Sequence, residues 1–208
     1  MICGVDEAGR GPVLGSLVVA GVICEKKQEE DLKKIGVLDS KKLNAKSREK
    51  LYDQIISRFD YHSIKIQPLE LDRSKNLNLL EGMKFAEIIN TLQPELAYLD
   101  CADAAPRNFH NYVAKHLSFK CNLVVEHKAD EKYPIVSAAS IIAKVERDRD
   151  IERLKQEYGD IGSGYPSDPK TVAFLEDWFK ENRSFPPFVR KSWKTLNRIV
   201  NSKLLDFL

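Results

Sequence analysis

The sequence contains no apolar stretch approaching the ~18 residues that cross a bilayer, so no membrane-spanning helix is expected. Its first residues show no basic segment leading into an apolar one, and no secretory signal is expected either. Cysteine is scarce: Cys3, Cys24, Cys101 and Cys121 are scattered with no Cys-x-x-Cys pair, which argues against a disulfide frame or a zinc ribbon. That usage fits free thiols in a reducing, cytoplasmic setting. The histidines, His62, His110, His116 and His127, have no zinc-ligand spacing. Internal repeats and low-complexity segments are missing. Charge excess is missing too: 33 Lys and Arg against 31 Asp and Glu leave a formal +2, so bulk electrostatics neither require nor forbid a nucleic-acid partner.

What is present is distributed unevenly. From Asn182 to Ser202 the chain carries Arg183, Arg190, Lys191, Lys194 and Arg198 with no acid, interleaved with Phe185, Phe188 and Trp193. Such a mixture suits a phosphate backbone and sugar faces, or equally a solvated helix face over an aromatic contact. At 208 residues the chain can bury a proper core as one domain, or as one domain with an appendage.

Short β-branched or apolar runs at Ile2–Val5, Leu17–Ile23, Tyr61–Ile66, Leu96–Leu99 and Leu123–Val125 read as strands. Helical spacing runs from about Lys46 to Phe59. Asn78 with Glu81 resembles a capping box for a helix through Ile89, and Pro134 to Tyr158 reads as a helix leaving an apolar core for solvent. Asp168-Pro169 is an N-cap and first-turn pair for a helix to about Phe179. Three strands, then alternating strand and helix, then helix alone describe an α/β core with a mixed sheet and a helical C-terminal extension. Gly159, Gly162, Gly164 and Pro166 mark the change, giving a core of residues 1–158 and an extension of 159–208.

Carboxylates recur where strands end. Asp6-Glu7 follows the first apolar run and leads into Ala8-Gly9-Arg10-Gly11-Pro12; Asp100 follows Tyr98-Leu99; Asp130 lies shortly after Val125. Ligands of open α/β sheets gather at strand ends, so these acids can converge. Two carboxylates 4 Å apart repel by about 4 kcal/mol at an effective dielectric near 20, which a hard divalent cation, Mg²⁺ or Mn²⁺, would relieve. Alternation along a strand opposes a shared role for Asp6 and Glu7 side chains. Either the strand ends at Asp6 or one residue contributes its carbonyl. The Gly9-Arg10-Gly11 turn would allow close backbone approach to a polar ligand, with Arg10 as a phosphate-competent fork.

These segments together resemble the ribonuclease HII family in its archaeal form. The likeness is carried by Gly4 to Pro12, by Asp39-Ser40-Lys41-Lys42-Leu43, by Tyr98-Leu99-Asp100, by Glu126 to Asp130, by Ser137 to Val145 and by Ser163 to Pro169, in order over nearly the whole chain. The resemblance implies a ribonuclease H-like fold and metal-dependent endonucleolytic hydrolysis of the RNA strand of RNA–DNA hybrids. It also implies incision 5′ of single ribonucleotides embedded in duplex DNA, leaving 5′-phosphate and 3′-hydroxyl. Asp6, Glu7, Asp100 and Asp130 match the acids that hold Mg²⁺ or Mn²⁺ in a two-metal mechanism. Gly9, Arg10, Gly11 and Tyr165 match the groups that sense the ribose, whose 2′-hydroxyl alone separates RNA from DNA at one position. Ser40, Lys41 and Lys42 are assigned to phosphate contact. Lys144 is assigned to the substrate side of the site or to pairing with one of its acids.

Asp103, three residues after Asp100, is the rival acid, and the resemblance favours Asp100. The last residues, with Asn201, Leu204, Phe207 and Leu208 at the marking positions, look like a degenerate sliding-clamp peptide, or like a helix end packed on its own body. Another metal nuclease of the same fold, such as a junction resolvase, is disfavoured because a DNA-only enzyme has no 2′-hydroxyl to sense. A catalytically dead binding module gains nothing from four acids facing phosphates. No exposed apolar stripe calls for a dimer, so a monomer is expected.

Overall fold

A computed structural model of the chain describes residues 1–38 and 44–205, with side chains as far as residue 200. The expected phosphate contacts Ser40, Lys41 and Lys42 and the tail positions Asn201, Leu204, Phe207 and Leu208 lie outside the residues or side chains described. Among the described residues no helix is long and apolar enough to cross a membrane.

All five expected strands are present: β1 (Ile2–Ala8), β2 (Leu17–Cys24), β3 (Asp60–Ile66), β4 (Leu96–Asp100) and β5 (Asn122–Glu126). They form one mixed sheet of order β3-β2-β1-β4-β5. β1 pairs antiparallel with β2, and β1 with β4 and β4 with β5 run parallel. The helices are α1 (Glu29–Lys34), α2 (Ala45–Ile56), α3 (Pro68–Arg73), α4 (Leu77–Leu92), α5 (Pro106–Lys115), α6 (Ala129–Lys132), α7 (Pro134–Tyr158), α8 (Pro169–Asn182) and α9 (Lys194–Leu205).

The residues divide into two compact units. The first comprises Met1–Ala8, Val18–Lys65 and Asn76–Glu146; the second comprises Gly9–Leu17, Ile66–Lys75 and Arg147–Leu208. The expected extension, residues 159–208, falls within the second unit, which also takes the Gly-rich turn after β1, α3 and the later half of α7.

In the first unit, alternation along β1 assigns its faces. Gly4 lies under the start of α7, where a Cβ would run into the Ile135 carbonyl and the Val136 nitrogen. On the other face Gly21, the β2 partner of Val5, lies against Ile88 of α4. Ile2, Gly4, Asp6 and Ala8 therefore share the α7 face, and Cys3, Val5 and Glu7 the α4 face. The α7 face is filled by Val18, Ala20 and Val22 of β2 with Ile135, Ala138, Ala139, Ile142 and Val145. That is why the apolar first turns of α7 precede its charged ones.

Two local expectations change. β1 continues through Asp6 and Glu7 to Ala8 instead of ending at the acid pair, because its antiparallel ladder with β2 persists to Ala8 opposite Val18. The N-cap of α4 is Asn76, whose side chain accepts from Leu79 N at 3.1 Å. Asn78 is inside the helix, and its amide donates to Asp103 Oδ2 at 2.7 Å instead of capping. The cap at Asp168 is as expected, its carboxylate accepting from Lys170 N at 3.0 Å.

The second unit has its own core of Val13, Leu14, Ile151, Leu154, Ile161, Leu175, Phe188, Val189, Leu196 and Ile199. The basic and aromatic run reads differently here. Phe188 and Arg190 are buried, and Phe185 stacks on Phe179 with centroids 5.0 Å apart, so these residues face the core and not a phosphate backbone.

Candidate active site

The parallel register of β1 with β4 ends at Val5 opposite Leu99; one step further brings Asp6 level with Asp100 and Glu7 level with Cys101. Level residues of parallel strands point to the same face, so Asp6 and Asp100 share the α7 face. Asp6 is only 4% exposed. Burial first, and then the charge of Asp100, push its pKa up to about 7. Two donors and one charge hold the pKa down against this: the Ser140 hydroxyl, the Glu7 N–H to Asp6 Oδ1 at 2.7 Å, and the charge of Lys144. Lys144 Nζ in turn donates to Ser140 Oγ at 2.8 Å, so α7 brings a lysine and a hydroxyl in series to the Asp6 carboxylate of β1.

Asp100, the last residue of β4, has its Oδ1 fixed by the Ala129 N–H at 2.6 Å. That bond ties the start of α6 to the end of β4, and the next residue, Asp130, is 9% exposed. Lys128 enters α6 through the left-handed region at φ 56, making the sharp turn that aims the Ala129 amide back at Asp100. Asp103 is occupied elsewhere. Its Oδ1 accepts from Ala105 N at 2.9 Å and its Oδ2 from Asn78, so it organises the entry to α5.

Glu7, on the α4 face, contributes to the field that raises the Cys101 thiol, together with Asp103 and Asp100, after the larger effect of burial. Strand alternation thus separates Glu7 from Asp6 rather than joining them. Among the described residues no three His, Cys, Asp or Glu side chains stand as a group that could hold a metal ion. Asp6 and Asp100 are close enough for the charge of one to raise the pKa of the other.

In the second unit the residues expected to sense a ribose are brought together. Gly9 sits at φ 92, a left-handed conformation that favours glycine, and a Cβ there would press on Ser16 O at 2.9 Å. Gly11 faces the Tyr165 ring edge, with a would-be Cβ at 3.6 Å from Cε1. Tyr165 is 41% exposed, and the Arg147 guanidinium lies 5.1 Å from its ring centroid while donating to Ser163 O at 2.7 Å. Sequence reasoning gave no role to Ser140 or Arg147, and it read Arg190 and Trp193 only as part of a basic and aromatic run suited to phosphate and sugar. An arginine in a Lys/Arg-rich stretch carries no local sign that it will be buried, whereas Ser140, four residues before Lys144 on one helix face, was findable by spacing.

A five-stranded mixed sheet flanked by helices, with an acid pair on neighbouring parallel strands, defines a ribonuclease H-like nuclease fold. The model of the Ribonuclease HII family matches residues 3–196. The chain is 51% identical over 205 residues to the ribonuclease HII of Pyrococcus furiosus, covering 97% of this chain and 92% of that one. Its structure is similar to the ribonuclease H2 of Pyrococcus horikoshii, with a TM-score of 0.92, 46% identity and 97% of each chain covered. It is similar as well to the enzyme in the PCNA:RNase HII complex from Archaeoglobus fulgidus, with a TM-score of 0.88, 46% identity and 96% of each chain covered. The chain belongs to the ribonuclease HII family and is a ribonuclease H, an endonuclease that degrades the RNA of RNA–DNA hybrids.

Proposed function

We propose that this ribonuclease H also incises duplex DNA 5′ of a single embedded ribonucleotide, with Mg²⁺ or Mn²⁺ held by the side chains of Asp6 and Asp100, joined by Asp130, and with Glu7, whose side chain lies on the other face of β1, contributing through its backbone carbonyl. The observation that carries the metal is the Asp6–Asp100 pair. Its donors are all oxygen, one carboxylate is buried, and burial together with the charge of Asp100 disfavours the ionised form of Asp6, a cost that a hard cation would relieve. When bound, such ions neutralise the scissile phosphate, activate water and stabilise the departing 3′ oxygen, leaving 5′-phosphate and 3′-hydroxyl ends.

The protein's own groups do the positioning. The Glu7 N–H and the Ser140 hydroxyl fix the direction of Asp6, the Ala129 N–H fixes Asp100, and Lys144 holds Ser140 in place. Recognition of the ribose falls to the Gly9-Arg10-Gly11 turn that follows β1 in the chain and to the exposed ring of Tyr165. Gly11 offers a backbone amide without a Cβ in the way, and a stacked Arg147 stiffens the ring so that its outer face can meet a sugar. Ser40, Lys41 and Lys42 are assigned to substrate phosphates. The C-terminal peptide Asn201 to Leu208 is assigned to a PCNA-type clamp, supported by the complex solved for the Archaeoglobus fulgidus relative. The free, scattered cysteines support a cytoplasmic setting.

The test is a DNA duplex carrying one ribonucleotide, incubated with Mg²⁺, Mn²⁺ or chelator. A nick 5′ of the ribonucleotide that requires metal is the expected result, and equal cutting of an all-DNA duplex or cutting in chelator overturns the reading. Asp100→Asn should reduce the rate by about 10³-fold or more, the scale on which single catalytic groups act. Asp103→Asn should retain most of it, and equal losses would refute the assignment of Asp100.

A further inference from the structure

Arg190 is fully buried (0% exposed) in the second unit, yet among the described residues no carboxylate forms an ion pair with it. Its hydrogen bonds go instead to the backbone of the segment after β1. Nε donates to Gly15 O at 2.9 Å, Nη1 donates to Arg10 O at 3.3 Å, and its own N–H donates to Val13 O at 2.9 Å. Nη2 is buried with no hydrogen-bond partner among the described residues. Trp193 completes the arrangement: its ring centroid lies 5.0 Å from the Arg190 guanidinium, and its Nε1 donates to Gly11 O at 3.3 Å. Burial, and then the charge of Arg147, lower the Arg190 pKa to about 10, with Asp72, Tyr165 and Asp150 acting the other way, so it stays a cation at neutral pH.

A buried guanidinium with an unpaired N–H is an expensive way to fill a core, since an apolar side chain of similar size would avoid the desolvation. Its value lies in where it points the turn. In a trans peptide the carbonyl and the following N–H project in opposite directions. Drawing the Arg10 carbonyl inward onto Arg190 therefore turns the Gly11 N–H outward. The next peptide plane is fixed by Trp193 through the Gly11 carbonyl, and it carries no N–H of its own because Pro12 follows. Gly11 is thus held on both sides, and among the described residues nothing in the chain takes its amide.

We propose that Arg190, seconded by Trp193, is the positioning residue that aims the Gly11 N–H at the 2′-oxygen of the target ribonucleotide and so sets the selectivity of incision. This rests on the proposed incision at embedded ribonucleotides. A hydroxyl oxygen accepts a hydrogen bond well and an organic fluorine poorly, so the contact should show as a preference for ribose over its 2′-fluoro analogue.

Single-turnover rates are measured on duplexes carrying one ribonucleotide, or one 2′-deoxy-2′-fluoro nucleotide, at the same position. The proteins compared are wild type, Arg190→Lys, Arg190→Met and Trp193→Phe. The ribose-to-fluoro rate ratio should fall about tenfold in Trp193→Phe, which keeps the ring and loses the donor, and further in Arg190→Met, with Arg190→Lys between them. KM for the ribonucleotide duplex should stay within about twofold while kcat falls, as expected when an interaction of the transition state is lost. A purely structural role would lower both rates together and leave the ratio at its wild-type value, which overturns the inference. Should the Arg190 variants fail to fold, Trp193→Phe decides alone. Wild type that does not nick at the embedded ribonucleotide overturns the incision reading and this inference with it; wild type that nicks, with unchanged ratios in the variants, overturns the inference only.

Discussion

Asp6 shows how a single residue links stability to chemistry. The unfolded chain gives up this proton in the ordinary carboxylate range, whereas the folded protein keeps it up to about pH 7 because of burial and the charge of Asp100. Between those values the folded state binds more protons, so the stability of the metal-free protein falls as pH rises, by at most about 1.4 kcal/mol per pH unit from this group. In chelator, denaturant midpoints should be lower at pH 8 than at pH 5, and Asp6→Asn should flatten that difference; a slope unchanged by the substitution would refute the assignment. At this scale the acids were legible in the sequence, since Asp6 and Asp100 stand out at the ends of apolar runs. The separation of Glu7 from Asp6 was foreshadowed by strand alternation. The burial of Arg190 was not, because what surrounds it comes from segments about 175 residues earlier in the chain.

At the scale of elements the strands and long helices were readable because apolar spacing repeats within each of them. α7 was bounded correctly from its small, apolar beginning and charged end. The short helices α1, α3 and α6 span too few residues for periodicity to register, and the ten-residue α5 was not read from the sequence either. The misplaced cap of α4 has a related origin: Asn76 and Asn78 are equally good caps in isolation, and only the bond from Asn78 to Asp103 shows which was free to act as one. The packing of α7 on β1 also places Ser140 and Lys144 at Asp6, and it depends on Gly4 having no side chain. Gly4→Ala should force α7 away from the strand and destabilise the protein by about 1–3 kcal/mol, as overpacking does. The measurement is equilibrium unfolding in urea, and a variant as stable as wild type would show that the contact can relax without loss.

For the molecule as a whole, net charge near zero leaves recognition of nucleic acid to local arrangements rather than to a bulk field. The clamp contact proposed above uses the last residues of the sequence, far along the chain from the proposed cutting acids. Removing Leu204 to Leu208 should lower affinity for a PCNA-type clamp about tenfold or more while leaving nicking of free duplex within about twofold, as read by a binding titration and a nicking assay on the same preparation. Unchanged affinity would rule out the clamp assignment. By itself the sequence determined the five strands, the helices α2, α4, α7 and α8, the mixed α/β core, the acids at strand ends and the family, because each is written in local spacing or in contiguous motifs. Only the tertiary structure decided that Asp6 and Asp100 face one another, that Asp103 accepts from Ala105 N and Asn78 at the entry to α5, and that the Gly-Arg-Gly turn is held from behind by Arg190 and Trp193. Those outcomes depend on strand register and on contacts between distant segments, where hydrogen bonding and desolvation act across space and leave no pattern along the chain.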